Sequence, residues 1–278
     1  GALDTATPQV QELELASQGA FALHLEADGR HAQLLLAEGL LRVDLTSSQT
    51  PKVIPLPAAS APGRQLRCTG IALRGNTSAT DPQDLGYTYL ACTQRCGPGV
   101  AAGCLDQALL LRYGPSSSCF ASNAGAPGCW QVYPVPSVDD RPLGSPVIDA
   151  QARRVYLLTS QGGLFAAPYE PPLGKAPLLL LSPFKLGRDG SAPHPMVLDD
   201  EGGALFVVAG ARILRFEPRG SDPIPRRFPI AVHDQLPASM LALSGDAATL
   251  AVLRGGGPPS LATVCIERCP TCACKPAP

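Results

Sequence analysis

Charge, aromatic residues and long apolar runs are all scarce in this chain, and the shortages of charge and of apolar runs each remove a class of function. Only 16% of its 278 residues are charged, 22 Lys+Arg against 23 Asp+Glu, which leaves a net charge of −1. Nothing in that balance draws the protein to nucleic acid or to an anionic membrane surface. No apolar run approaches the roughly 18 residues that span a bilayer; Leu178 to Leu181 is a short strand among prolines. Gly-x-Gly-x-x-Gly and Walker loops are missing, and Gly255-Gly-Gly-Pro-Pro259 reads as a turn between strands. The chain opens Gly1-Ala-Leu-Asp4 without an initiator Met or a charged-plus-apolar leader. That start fits the expectation of a chain matured by signal removal, or of a fragment of a larger protein.

Proline (30), glycine (28) and cysteine (10) are abundant instead. Frequent Pro and Gly suit many short strands joined by turns and disfavour long helices. Ten cysteines, an even number, point to disulfides in a secreted protein. Asn76-Thr77-Ser78 is a glycosylation sequon in a polar stretch, so Asn76 is the expected glycan site. Cysteines and sequon together place the protein in an oxidising, extracellular compartment, secreted or at the cell surface.

The chain repeats itself at roughly 40–50 residues, the spacing of a β-propeller blade. Each unit begins with an apolar strand: Ala20–Leu25, Thr69–Leu73, Pro146–Asp149, Pro195–Asp199 and Ser239–Leu243. A second strand follows at Gln33–Ala37, Tyr87–Cys92, Arg154–Leu158, Leu205–Val208 and Thr249–Leu253, in most units after an Asp/Gly/Asn turn signal. Third strands are read at Leu40–Leu45, Ala108–Tyr113, Leu164–Ala167, Ile213–Phe216 and Ser260–Val264. Outer fourth strands are read at Lys52–Leu56, Trp130–Val135, Pro177–Leu181 and Arg226–Val232; proline is frequent there because an edge strand tolerates it.

The fifth unit lacks a fourth strand, and Val10–Leu15 is an alternating strand with no unit of its own. The expected fold is therefore all-β: a five-bladed propeller of four-stranded blades over residues 1–264, its last blade closed by the N-terminal strand. Six blades is the alternative, should the long second unit hide another, and a β-sandwich is the remaining rival. Residues 265–278 form a separate Cys/Pro-rich tail.

The second unit is elaborated, with insertions expected at Arg74–Gly86, Thr93–Asp106 and Gly114–Gly128. Loops this long need stapling. Cys96–Cys104 and Cys119–Cys129 are natural local pairs, and Cys68–Cys92 could tie the first two strands, although sequence leaves connectivity open. In the tail, Cys265, Cys269, Cys272 and Cys274 read as a disulfide knot. No His lies nearby and Cys272-Ala-Cys274 is too tight for paired zinc ligands. Cys269-Pro-Thr-Cys272 lacks the strand-to-helix setting of a redox motif. The final Pro-Ala-Pro could lead into a Pro-rich stalk.

With Asp28-Gly29, Asp149, Asp200-Glu-Gly202 and Gly245-Asp246 preceding apolar strands, and third strands such as Leu41-Arg-Val-Asp44 and Ile213-Leu-Arg-Phe216, the units resemble extracellular propeller repeats of the NHL and YWTD groups. The YWTD motif itself is absent. The resemblance implies a binding platform, often part of an adhesive or matrix protein, while some related propellers are lactonases, glycosidases or lyases.

Enzyme chemistry in such a fold needs carboxylates or metal ligands at the channel built from the first strands. Those stretches are apolar: Phe21 to Leu23, Ile71 and Ala72, Val147 and Ile148, Met196 and Val197, Met240 and Leu241. Asp149 and Asp199 sit at strand ends, where an Asp caps the turn through its own backbone. His24 and His194 stand near channel openings but read as structural. Ser145 and Ser239 begin first strands without a Ser-His-Asp arrangement. No catalytic, metal-ligating or cofactor-binding residue is assigned, and no cofactor is expected. The function expected is a secreted structural or adhesive interaction module, a subunit of a cell-surface fibre, wall or extracellular matrix assembly, with protein or glycan partners or self-assembly. The alternative is a carbohydrate-active or lactone-cleaving enzyme whose acids come from loops. The partner-contact candidates are Tyr113, Phe120 and Trp130, in the elaborated unit.

Overall fold

The computed structural model describes residues 20–25, 31–46, 53–59, 62–73, 87–99, 103–115, 128–137, 139–168, 179–180, 196–199, 203–209, 212–219, 226–227, 238–243, 249–254 and 260–265. They form nineteen strands in five antiparallel sheets. The first sheet holds β1 (Ala20–Leu25), β2 (His31–Leu36), β3 (Gly39–Asp44) and β4 (Val53–Pro55) in that order. The second holds β5 (Arg64–Leu73), β6 (Thr88–Cys96), β7 (Gln107–Pro115) and β8 (Gly128–Pro134). The third holds β9 (Val147–Asp149), β10 (Arg154–Leu158), β11 (Leu164–Pro168) and β12 (Leu179–Leu180). The fourth holds β13 (Met196–Asp199), β14 (Ala204–Ala209), β15 (Arg212–Phe216) and β16 (Arg226–Arg227). The fifth is three-stranded among the described residues: β17 (Ala238–Leu243), β18 (Thr249–Arg254) and β19 (Ser260–Cys265).

Each sheet is a meander, so every strand pairs with its neighbour in sequence and short turns suffice. The first strands of successive sheets lie side by side, β1 by β5, β5 by β9, β9 by β13 and β13 by β17. Sheets arranged radially about their first strands bury both faces, which explains the near-continuous apolar runs. Leu35 and Leu40 face the second sheet with Ile71, Leu90 and Leu111. Tyr89, Leu110 and Tyr133 meet Val155, Leu157 and Phe165 of the third sheet. Tyr156, Leu158 and Leu164 meet Leu205, Val207 and Phe216 of the fourth. Phe206 and Ile213 meet Leu241, Leu250 and Val252 of the fifth.

The architecture is that of a β-propeller, as the repeat implies. Two expectations need correction. Thr93 to Cys96 is strand rather than insertion, because β5 begins at Arg64 and pairs Arg64 with Cys96. The Gly114–Gly128 insertion is likewise trimmed at both ends, since Gly114 pairs with Cys129 and Pro115 with Gly128. The read strand Val10–Leu15 lies outside the described residues, so the closure it was expected to make does too. β19 runs to Cys265, one residue past the expected boundary of the tail, and the rest of the tail also lies outside the described residues. Among the described residues no helix is long and apolar enough to cross a membrane.

The second and third sheets bring backbone against backbone where β5 passes the segment leading into β9. A Cβ at Gly70 would land on the Gly144 carbonyl and the Ser145 Cα, both backbone and unable to yield. Gly70 also sits at the irregularity in the β5–β6 register, and the Ile71 N–H donates to Ser145 Oγ at 3.3 Å. Gly70→Ala is expected to lower unfolding free energy by about 1–3 kcal/mol, the usual range for overpacking; chemical denaturation under oxidising conditions measures it. A variant as stable as the parent would show that this approach is loose.

Candidate functional site

Three places can carry function: the cavity between the first strands, the long second sheet, and the polar joints between sheets. The cavity has a volume of about 330 Å³ and is lined by residues of four first strands and the segment before β9. Leu23, Ile71, Ala72, Val147, Ile148, Met196, Val197 and Leu198 make its wall apolar. Among its described lining residues, His24 and Ser145 alone carry side-chain nitrogen or oxygen atoms. The first-strand stretches read as channel-facing are thus largely the ones that line it. Among the described residues no group of three or more His, Cys, Asp or Glu is placed to hold a metal ion. His194 lies outside the described residues.

Asp149, at the end of β9, is fully buried. Its Oδ1 accepts the Ala152 N–H at 2.8 Å, the turn cap that its position predicts. Sequence reading missed the rest. Arg219, which follows β15 in the next sheet, donates from Nε to Oδ2 at 2.9 Å and from Nη2 to Oδ1 at 2.7 Å. Tyr156 donates its hydroxyl to Oδ2 at 3.3 Å, and Arg219 Nη1 reaches Gln151 Oε1 at 2.6 Å. Arg154 Nη1 donates to the Pro218 carbonyl at 3.1 Å, so the same joint is tied twice. Burial pushes the Asp149 carboxyl up. The Arg219 fork, the Ala152 N–H and the Tyr156 hydroxyl outweigh it and hold the carboxyl below its ordinary range. Burial, with the Asp149 charge beside it, pushes the Tyr156 phenol well above its ordinary value, so it remains a neutral donor.

The joint also depends on the fourth sheet's turn. Gly203 takes φ +69°, its N–H returns to the Asp199 carbonyl at 2.8 Å, and a Cβ there would meet Arg219 Cδ at 2.7 Å. The turn after Asp149 uses the same geometry, with Arg153 at φ 53° in the matching place. On the segment between β8 and β9, buried Asp140 accepts from Ser137 Oγ, the Arg141 N–H, Ser160 Oγ and the Gln161 N–H at 2.7–3.0 Å. Arg141 also pairs with Asp106 at 3.2 Å. These bonds fix one rim between the second and third sheets.

Among the described residues the second sheet has the longest strands, of 10, 9, 9 and 7 residues against 6 or fewer elsewhere. Cys68–Cys92 links β5 to β6 and Cys96–Cys104 closes the β6–β7 connection, both as expected. Asn76, Phe120, Cys119, Cys269, Cys272 and Cys274 lie outside the described residues, as do the side chains of Cys129 and Cys265. Tyr113 and Trp130 come together, ring centroids 4.9 Å apart at 53°. Both are half-buried and pack into the cluster between the first two sheets; Trp130 Nε1–H donates to the Pro55 carbonyl at 3.0 Å. Burial pushes the Tyr113 phenol up.

No known family and no curated protein matches the chain. Solved structures do. The β-propeller domain of Cps50 (Swd1) from Myceliophteria thermophila superimposes with a TM-score of 0.52 at 14% identity, over 88% of this chain and 69% of that one. The Dos1 propeller gives 0.45 at 11%, over 88% and 67%. A Mycobacterium tuberculosis puromycin-hydrolyzing peptidase gives 0.39 at 15%, over 91% and 44%. The first likeness shows the fold, and at that identity the fold alone.

Asp149→Asn keeps an acceptor for the Ala152 N–H but removes the charge that Arg219 faces. A loss of about 3 kcal/mol is expected, the low end for breaking a buried pair because Arg219 is partly exposed. The carboxyl's pKa is lowered on folding. Its contribution is therefore complete above the unfolded value of about 3.9 and fades as pH falls through the folded value. Unfolding measured from pH 6 to pH 2 should show a steep acid limb in the parent and a flatter one in Asp149→Asn. Parallel limbs would remove Asp149 from the acid response.

Proposed function

We propose that this propeller is a secreted, disulfide-stapled interaction module that binds by surface complementarity, as a subunit of a cell-surface fibre, wall or extracellular matrix assembly. The observation that carries this reading is the second sheet. Among the described residues its strands outgrow those of the other sheets, and two disulfides hold its first two strands together and close the connection to the third. Disulfides persist in oxidising compartments, which supports an extracellular setting and a glycan on Asn76. Elaborating one blade on a rigid scaffold is the usual way to build a contact surface. Leu105, beside Cys104, exposes an apolar side chain on the stapled connection.

In this reading the five sheets are five blades of a closed ring, with repeats of the NHL or YWTD kind. Supporting closure, the first sheet buries residues on both faces: Leu36, Leu41 and Val43 are buried opposite Leu35 and Leu40. The apolar lining of the central cavity supports binding over hydrolysis. Tyr113 and Trp130 then have a double role, stiffening the joint between the first two sheets while Phe120 and the stapled connection meet the partner.

Native mass measured without reductant, on material from the natural source, tests this reading. A stable heteromeric or self-assembled complex that depends on Phe120 and Leu105 is expected, with alanine at either position weakening it at least tenfold. A clean monomer carrying one tightly bound divalent ion would overturn the proposal and direct attention to an enzyme at the cavity mouth.

A further inference from the structure

Arg112, on β7, is only 1% exposed and is the largest fully buried side chain of the structure's described part. It lies on the face of the second sheet that packs against the third. Its Nε, Nη1 and Nη2 have no hydrogen-bond acceptor. Among the described residues no carboxylate pairs with it. The guanidinium lies over the Tyr87 ring, its carbon 4.3 Å from the ring centre.

A guanidinium cannot escape this situation by losing its proton, because its pKa exceeds about 12. A ring face attracts a cation but accepts none of its five N–H bonds in their own plane. Buried water could accept those bonds and would leave the charge uncompensated. The strands around it add neutral polar groups rather than negative charge. Register places Tyr89 opposite Arg112 on one side and Gln131 on the other, with Tyr133 and Leu110 the next pair along β8 and β7. Tyr133 donates its hydroxyl to Gln131 Oε1 at 2.8 Å. Burial pushes the Tyr133 phenol up, more than the nearby Arg112 lowers it, so the phenol stays neutral. The site is a positive charge boxed by tyrosines and an amide between two sheets.

The position is distinctive within the repeat. Arg42, Arg112 and Arg215 occupy matching places on the third strands, each after a leucine: Leu41-Arg42, Leu111-Arg112, Leu214-Arg215. Arg42 is exposed, and Arg215 is partly exposed and pairs with Glu217 at 3.4 Å. Only the copy in the elongated sheet buries the guanidinium without an anionic partner.

We propose that Arg112 holds a compact monovalent anion, a halide or a small carboxylate, at the joint between the second and third sheets, where the guanidinium N–H groups bind it and Tyr87 covers the opposite side. Anion occupancy would then be linked to the packing of these two sheets and so to global stability.

The test is thermal unfolding of the intact, oxidised protein while sodium gluconate, a bulky anion, is exchanged for sodium chloride or sodium formate at constant ionic strength. A saturable rise in Tm with chloride or formate is expected for the parent, with half the effect at millimolar concentration. Arg112→Met should abolish the rise, and Arg112→Lys, which keeps the charge but loses the planar fork, should shift its midpoint at least tenfold upward. General salt effects change Tm without saturation and act equally on parent and variants. A parent Tm indifferent to the exchange, a response that does not saturate, or the same saturable response in Arg112→Met would each overturn the proposal. Should Arg112→Met fail to fold, the parent titration and Arg112→Lys still decide it.

Discussion

Everything in this molecule depends on sheets packing face against face around their first strands. A four-stranded antiparallel sheet of six-residue strands has too little of its own to exclude water, and it becomes stable when both faces are covered. The clusters at the four described joints are built from alternate residues of adjacent sheets, for example Leu157 and Phe165 against Tyr89 and Leu110. Hence the sequence reads as short apolar runs rather than as clean polar–apolar alternation. Gly70 exists because that packing brings backbone against backbone.

Apolar contact is non-directional, so the joints also need groups that define one arrangement. Asp149 and Arg219 do this between the third and fourth sheets with two parallel charge-assisted bonds. Asp140 does it at the rim between the second and third. Between the first and second, buried Thr88 donates to Gln33 at 2.8 Å and Trp130 to the Pro55 carbonyl at 3.0 Å. Arg112 sits at a comparable place but carries no such pairing, which is why a bound anion is the economical account of it.

The cavity and the variable parts of the fold follow from the same geometry. First strands that must pack side by side leave a cavity walled by aliphatic side chains, a poor setting for paired carboxylates. Variation then falls on connections and strand length, which can change without disturbing the joints. The second sheet shows that freedom, and its disulfides limit the mobility that longer connections would otherwise bring.

The sequence by itself determined the strands, their order within each unit and the all-β character. Those depend on local propensity and on contacts between neighbours along the chain, as with Arg154–Leu158, read and observed with the same ends. The short-range disulfides Cys68–Cys92 and Cys96–Cys104 were legible for the same reason, since each bridges adjacent strands or closes one connection. The extra length of β6 to Cys96 was not, because pairing with Arg64, 32 positions earlier, carries the strand on through polar residues with weak strand signals of their own. Only the tertiary structure decided that Asp149 meets Arg219, 70 positions away, and that Arg112 is buried while Arg42 in the same motif is exposed. Identical local words acquire different surroundings once the sheets pack, and charge pairing and desolvation are properties of those surroundings.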